Sequence, residues 1–331
     1  MRIFFPLNCL LIITAFSLSL SASLVSAQDK APAIATLHQV EGNVEVVTAK
    51  SPRGRRGNDG MLLHAGDQVR TSEESKATVE YRDGSRVRLF QNSEIVLNLS
   101  EEQSTSRRTF KYQLTLKRGS LRGRFLKGLQ RTKIRTPTAL IGVKGTSLRI
   151  TDNNNNATVS LTEGQLEVSN LSSSTILNPG QWLPDFGRTD DLTKKVGPIP
   201  NLLYLKTDVY ELDFRNEKSK QLEFSVQIQN NVSGKILERS GLVLFESDYN
   251  GIRLPKRFLL NEKGFARVLV GIDPTSLKDS EFKGLITIRA FMDGEGFDDI
   301  AEGSLVLKIR NLGKKRTILL DPDKGVVKKN D

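Results

Sequence analysis

The chain has 331 residues, a formal net charge of +11, one cysteine and two histidines. That length allows two domains of ordinary size. Cys9 lies inside an N-terminal leader, so the mature chain is expected to have no disulfide, thiol chemistry or cysteine-bound metal, and His38 and His64 alone make a Ser-His-Asp triad or a histidine cage a poor fit.

Residues 1–27 read as a secretory signal peptide. Arg2 supplies a positive start, an apolar run follows, and "SASLVSA" ends in small residues, which places cleavage after Ala27. An uncleaved anchor is the rival reading, but Pro6 and Asn8 interrupt a run barely long enough to span. Next, "KSPRGRRGND" (50–59) reads as a flexible basic loop with Arg53, Arg55 and Arg56 as contact points. "ATVEYR" and "RVRLF" alternate around Asp83-Gly84, a pair that accepts the positive φ of a tight turn. Ala77, Val79, Tyr81, Val87 and Leu89 should face a core, leaving Arg86 and Arg88 outward. "EIVLNL" has the same period. "YQLTLKRGSLRGRF" reads as strand, turn at Arg118-Gly119, strand, with Arg122 and Arg124 also outward.

The stretch "RTPTALIGVKGTSLRI" (135–150) resembles a phosphate loop but fails as one. Gly145 separates Lys144 from Thr146, and the flanks alternate as strands, not as the helix a phosphate loop or a GXXG clamp needs. Its glycines are expected to permit a turn or bulge. "ATVSLTEGQLEV" (157–168) repeats the hairpin grammar around Glu163-Gly164. Residues 34–188 are thus one β domain, closed by the sole tryptophan, Trp182, which is expected to fill the seam between domains. Residues 189–202 read as a linker. A second run of strands, such as "LEFSVQIQN" and "GLITIRAF", makes 203–311 an antiparallel, immunoglobulin-like sandwich. "DGEGFDD" (293–299) breaks the EF-hand order and reads as a solvated loop. Residues 312–331 form a basic tail, in which "TILL" could add an edge strand.

Charge is unevenly distributed. From Gln103 to Thr151 there are 13 Lys or Arg and no Asp or Glu, whereas 191–307 hold 16 basic and 18 acidic residues. Such a cationic half needs anions or wide spacing. Arg53, Arg55, Arg56, Arg86, Arg88, Lys117, Arg118, Arg122, Arg124, Lys127 and Arg131 are the candidate contacts for an anionic envelope polymer, either a glycan or lipid headgroups, or for a protein partner. The plainer reading is a solvated charged face. The acids beside glycines, Asp67, Asp83 and Glu163, occupy turn positions and form no catalytic pair, so no enzyme, cofactor or metal is expected, and the export signal argues against nucleic acid.

The ordered blocks "GNVEVV", "LLHAGDQVRTSEESKATVEYRDGSRVRLFQNSEIVL", "LTLKRGSLRGRF", "KIRTPTALIGVKGTSLRI", "VSLTEGQLEV" and "LNPGQWL" resemble the extracytoplasmic domain of the FecR family, from about Gly42 to Leu183. The resemblance implies an all-β, roll-like stack of short strands in the cell envelope without catalytic activity. Well-known members sense a loaded outer-membrane receptor and regulate a sigma factor through a cytoplasmic N-terminal arm. Here only Arg2 precedes the apolar run, so such an arm is not expected. The expectation is a non-enzymatic, periplasmic or secreted binding or scaffold module. The alternative is a sensing component acting through a membrane partner.

Overall fold

The computed structural model describes residues 32–310 apart from 105–106, 127–131, 215–218, 250–251, 256 and 275–283; it also describes 319–320 and 327–328, and gives the backbone alone for these two pairs and for 99–104 and 107–112. The leader 1–27 and most of the tail 312–331 therefore lie outside the described residues. Leu319–Leu320 pairs with Val327–Lys328 as a separate ladder and adds to none of the sheets below.

The protein is all-β, with a short 3-10 turn at Leu192–Lys194. Alternating apolar residues in the first half form one rolled 15-stranded sheet. Its spine is the strand Arg107–Arg124. The early half of the spine pairs with Glu94–Ser104 and, in parallel, with Thr132–Arg135. The later half pairs with Arg86–Leu89 on one side and Leu140–Asp152 on the other. This exchange of neighbours curls the sheet over a single core that includes Leu37, Val79, Leu89, Leu97, Leu121, Ile150 and Leu161. The hairpin from Lys76–Tyr81 to Arg86–Leu89 forms as expected, with Ala77, Val79, Tyr81, Val87 and Leu89 buried.

Two expected turns are bulges instead. Arg118-Gly119 lies within the unbroken spine, and Glu163-Gly164 lies within the unbroken strand Asn156–Ser169. Gly164 (φ +85) meets Gly145 (φ +55) where the pairing of Leu140–Asp152 with Asn156–Ser169 shifts register. A Cβ on Gly164 would collide with the Gly145 carbonyl oxygen. The glycines of "GVKG" thus serve a bulge, and the turn of that stretch is Thr136–Ala139, closed by the Thr136 amide on the Ala139 carbonyl at 2.9 Å. Gly164→Ala is expected to lower stability by about 1–3 kcal/mol through left-handed strain alone, read as a fall in the urea midpoint.

The basic segment expected as a loop is instead the strand Ser51–Arg56, paired with Val44–Thr48. Residues expected to link the halves are packed: Leu192 belongs to the first core, Ile199 is buried, and Gly197–Pro198 pairs with Gln181–Gly187. Trp182 is half-buried opposite Ser160 and Gly197.

The second half is a sandwich of two five-stranded sheets around its own core. Phe224 of Lys220–Asn230 meets Phe245 of Gly241–Ser247 edge-on, ring centroids 6.3 Å apart. Most pairings are antiparallel, but Asn201–Lys206 runs parallel to Ile300–Ala301, and Glu211–Asp213 parallel to Gly303–Arg310. From Ala33 onward the chain clusters as one compact unit.

Candidate functional site

Register sets the chemistry of the rolled sheet's outer surface. His38, Thr78, Arg88, Arg122, Arg149, Ser160 and Trp182 are successive partners across seven adjacent strands. Directly opposed residues have Cβ atoms about 4.5–5.5 Å apart, and like charges there destabilise a sheet. Three neighbouring arginines therefore need counter-charges. A second row brings Glu80, Arg86, Arg124, Ser147 and Glu163 into register beside them.

The sandwich supplies the anions. Arg88 forms a two-pronged contact with Asp293, Nε to Oδ1 at 2.6 Å and Nη2 to Oδ2 at 3.1 Å. Lys76 donates to the same carboxylate at 3.0 Å and to the Asp293 carbonyl at 2.7 Å. Arg122 holds two carboxylates, Glu302 at 2.6 and 2.9 Å and Glu246 at 3.1 and 3.2 Å, with its guanidinium 3.6 Å above the Phe291 ring. Ser147 donates to Glu302 at 2.9 Å, and Arg124 to Asp248 at 2.9 Å. Arg289 reverses the polarity, reaching from the sandwich to Glu163 at 3.0 Å. Arg149 donates to the carbonyls of Gly294 and Met292 at 2.6 and 2.5 Å and lies over Phe90. Planar, two-pronged arginine–carboxylate contacts are the strong form of this interaction.

Protonation follows from these contacts. Burial disfavours the charge on Arg122, yet the attraction of Glu246 and Glu302 raises its pKa above the ordinary arginine value. Burial lowers that of Arg149, and neighbouring Arg122 adds to the fall, against the pull of Asp298, Glu302 and Asp293. Burial likewise pushes Asp293, Glu246 and Asp248 upward, but Arg88 and Lys76 hold Asp293 below its ordinary value, Arg122 and Arg124 do so for Glu246, and Arg124 and Arg289 for Asp248.

The expectation that Arg88 and Arg122 face solvent is overturned. They are 3% and 2% exposed because the sandwich covers the face that alternation correctly placed away from the first core. Arg124 is half-buried in the same seam, while Arg86 stays exposed and pairs with Glu80 at 2.9 Å. The loop expected to be solvated is the docking element. Besides Asp293, its Glu295 accepts from Gln91 at 3.1 Å and its Asp298 from Thr151 at 2.8 Å. Lys76, Arg149, Glu246, Asp248, Asp293 and Glu302 were not foreseen as site residues. The available signal is the acid-free stretch set against a near-neutral second half that carries carboxylates to spare.

The other predicted cations lie elsewhere. Arg53, Arg55 and Arg56 are exposed on Ser51–Arg56 and make no ion pair among the described residues. Arg56, Glu45, Arg70, Glu94 and Arg118 form a cross-strand row of alternating charge over five strands. A bulge between Glu94 and Ile95 sets both Lys117 and Arg118 against Glu94, at 3.1 and 3.7 Å. Lys127 and Arg131 lie outside the described residues. Among the described residues no group of three or more His, Cys, Asp or Glu could hold a metal ion, and no helix is long and apolar enough to cross a membrane.

Residues 67–167 match the family described as "FecR protein". That match spans Arg88, Arg122, Arg124 and Arg149 of the seam and the Lys117–Arg118 bulge. Two solved structures of a candidate anti-sigma factor from Parabacteroides distasonis ATCC 8503, at 1.65 and 2.50 Å resolution, align at 16% identity with a TM-score of 0.30. Each alignment covers 51% of this chain and 57% of that one, so the chain spans little more than half the length of those structures. A search of curated proteins returns no significant match.

Proposed function

We propose that this FecR-domain chain is a non-enzymatic component of the bacterial cell envelope that docks a partner on its exposed basic surface. The sandwich acts as a fixed brace for the rolled sheet. One observation carries this reading. The buried seam already neutralises Arg88, Arg122 and Arg124, whereas Arg53, Arg55, Arg56, Lys117 and Arg118 stay exposed, with Glu45 and Glu94 as their acidic cross-strand partners among the described residues. An acidic glycan, a lipid headgroup or an acidic protein surface suits that remainder. The FecR match favours a second reading, in which docking reports the state of an envelope receptor to a membrane partner. The leader expected at 1–27 supports export.

The test is retention on an acidic matrix along a salt gradient. Arg56→Glu/Lys117→Glu/Arg118→Glu is expected to elute at clearly lower salt than the parent, because exposed charges are screened over about 10 Å at 0.1 M. Arg124→Glu is a poor probe, since it breaks the seam. Co-elution of the triple variant with the parent removes the proposal.

A further inference from the structure

A cavity of about 390 Å³ opens in the seam beside the arginine row. That volume falls within the range of small-molecule sites, roughly 300–1,000 Å³. Its two walls differ in chemistry. The rolled sheet contributes polar groups, chiefly Gln39, Glu80 and Arg86. The sandwich contributes apolar and aromatic surface from Phe245, Tyr249 and Leu254.

Charge inside the cavity is balanced. Arg88 and Arg122 close it, and each is engaged by carboxylates, while Arg86 pairs with Glu80 at 2.9 Å. A small ion finds no unmatched partner there. Hydrogen-bonding capacity does remain. Gln39 sits at φ +50, where the pairing of Ala35–Glu41 with Lys76–Tyr81 slips between His38 and Glu41. Non-glycine residues held left-handed cost about 1–3 kcal/mol and concentrate at ligand sites. The bulge turns the Gln39 side chain onto the seam. Its Oε1 accepts from Thr78 at 2.9 Å and from Arg88 at 3.1 Å. Its Nε2 has no acceptor among the described residues, so two donors are available to a ligand.

We propose that this cavity binds a neutral saccharide of one or two rings. A sugar ring has a C–H face for the Tyr249 and Leu254 side and hydroxyls for Gln39, Glu80 and Arg86. A purely apolar ligand would cover the exposed Gln39 amide and leave its Nε2 donors without a partner. A charged one would disturb a balanced site. The proposal does not depend on the outer basic row, none of whose residues lines the cavity.

Saturation-transfer NMR on the full mature chain tests it, with maltose and chitobiose as neutral probes and a glucuronate-containing disaccharide as the charged one. Transfer to the C–H protons of at least one neutral sugar is expected. Ser247→Trp, which fills the cavity, should abolish it. Gln39→Gly, which removes the amide but suits the left-handed backbone, should weaken the dissociation constant about tenfold. The outer-face triple variant should bind the sugar as the parent does, which separates this result from the docking proposal. Absence of transfer to both neutral sugars overturns the inference. So does transfer that survives Ser247→Trp, or transfer confined to the acidic sugar. Should Ser247→Trp not fold, an unchanged constant in Gln39→Gly is sufficient to overturn it.

Discussion

Arg122→Met is expected to destabilise the protein by about 3–5 kcal/mol, the cost of removing one partner from a buried ion cluster. The guanidinium lies between Glu246 and Glu302, with both hydrogen bonds of each pair in range. Without it the two largely buried carboxylates keep only Arg124 at 3.8 Å and Ser147 at 2.9 Å as side-chain partners among the described residues. The contact with the Phe291 ring is lost as well. The comparison variant is Arg86→Met, whose pair with Glu80 has side chains 45% and 34% exposed. It should cost no more than about 1 kcal/mol. Urea unfolding followed by circular dichroism separates the two. Equal losses would contradict the view that the seam braces the fold. The triple change Arg122→Met/Glu246→Gln/Glu302→Gln should recover much of the loss, because neutralising a whole buried cluster is far cheaper than orphaning part of it.

The same physics explains what the cluster contributes. Desolvating several charges offsets much of their mutual attraction, so the net stabilisation is smaller than the number of contacts suggests. Geometry is the larger gain. A guanidinium that must meet two carboxylates in plane accepts one relative placement of the sheets, whereas an apolar seam tolerates sliding. Fixed placement is also what the proposed docking of a partner on the exposed surface would require. The aromatic rings under Arg122 and Arg149 extend this, since each guanidinium also has a preferred face.

Much of this was legible from residue order. The alternation around Asp83-Gly84 identified a hairpin and the correct inward set, because burial on one face leaves a period of two. It also placed Arg88 and Arg122 on the face away from that core. Alternation cannot say what covers the opposite face, since a solvent-exposed row and a row docked on another sheet have the same period. The charge ledger held the missing clue: a segment without acids in 103–151, and carboxylates at 246, 248, 293 and 302. Complementary charge shows that two segments could pair, but not which residues meet. The bulges at Gly119 and Gly164 were hidden for another reason. Left-handed φ is required both in a tight turn and in a bulge, so a charged residue followed by glycine fits either. The strand Ser51–Arg56 resembles a loop in sequence because Pro52 and Gly54 break strand patterns, yet both are tolerated on an edge.

Acid should loosen the seam, and Asp293→Asn should reduce that sensitivity while lowering stability at neutral pH. Asp293 is fully buried as a side chain and held below its ordinary pKa, chiefly because Arg88 and Lys76 outweigh the burial that pushes it upward. Glu246 and Asp248 shift the same way under Arg122, Arg124 and Arg289. The sign follows from linkage. An unfolded carboxylate takes up its proton near pH 4, about 3.9 for Asp and 4.3 for Glu, and a folded one with a depressed pKa does so only at lower pH. The unfolded chain therefore binds more protons across that interval, and stability falls as pH drops through it. These carboxylates contribute fully above about pH 5, and their contribution disappears progressively below. In Asp293→Asn, Arg88 keeps only Glu41, at 3.3 Å, as an ionic partner among the described residues, and Lys76 keeps the residue 293 carbonyl. A loss of about 3–5 kcal/mol at pH 7 is expected, with a shallower decline between pH 5 and 3 than in the parent. Urea midpoints measured across that range provide the comparison. Parallel curves for variant and parent would mean that Asp293 does not carry the acid response, and that the seam is held by its aromatic and carbonyl contacts instead.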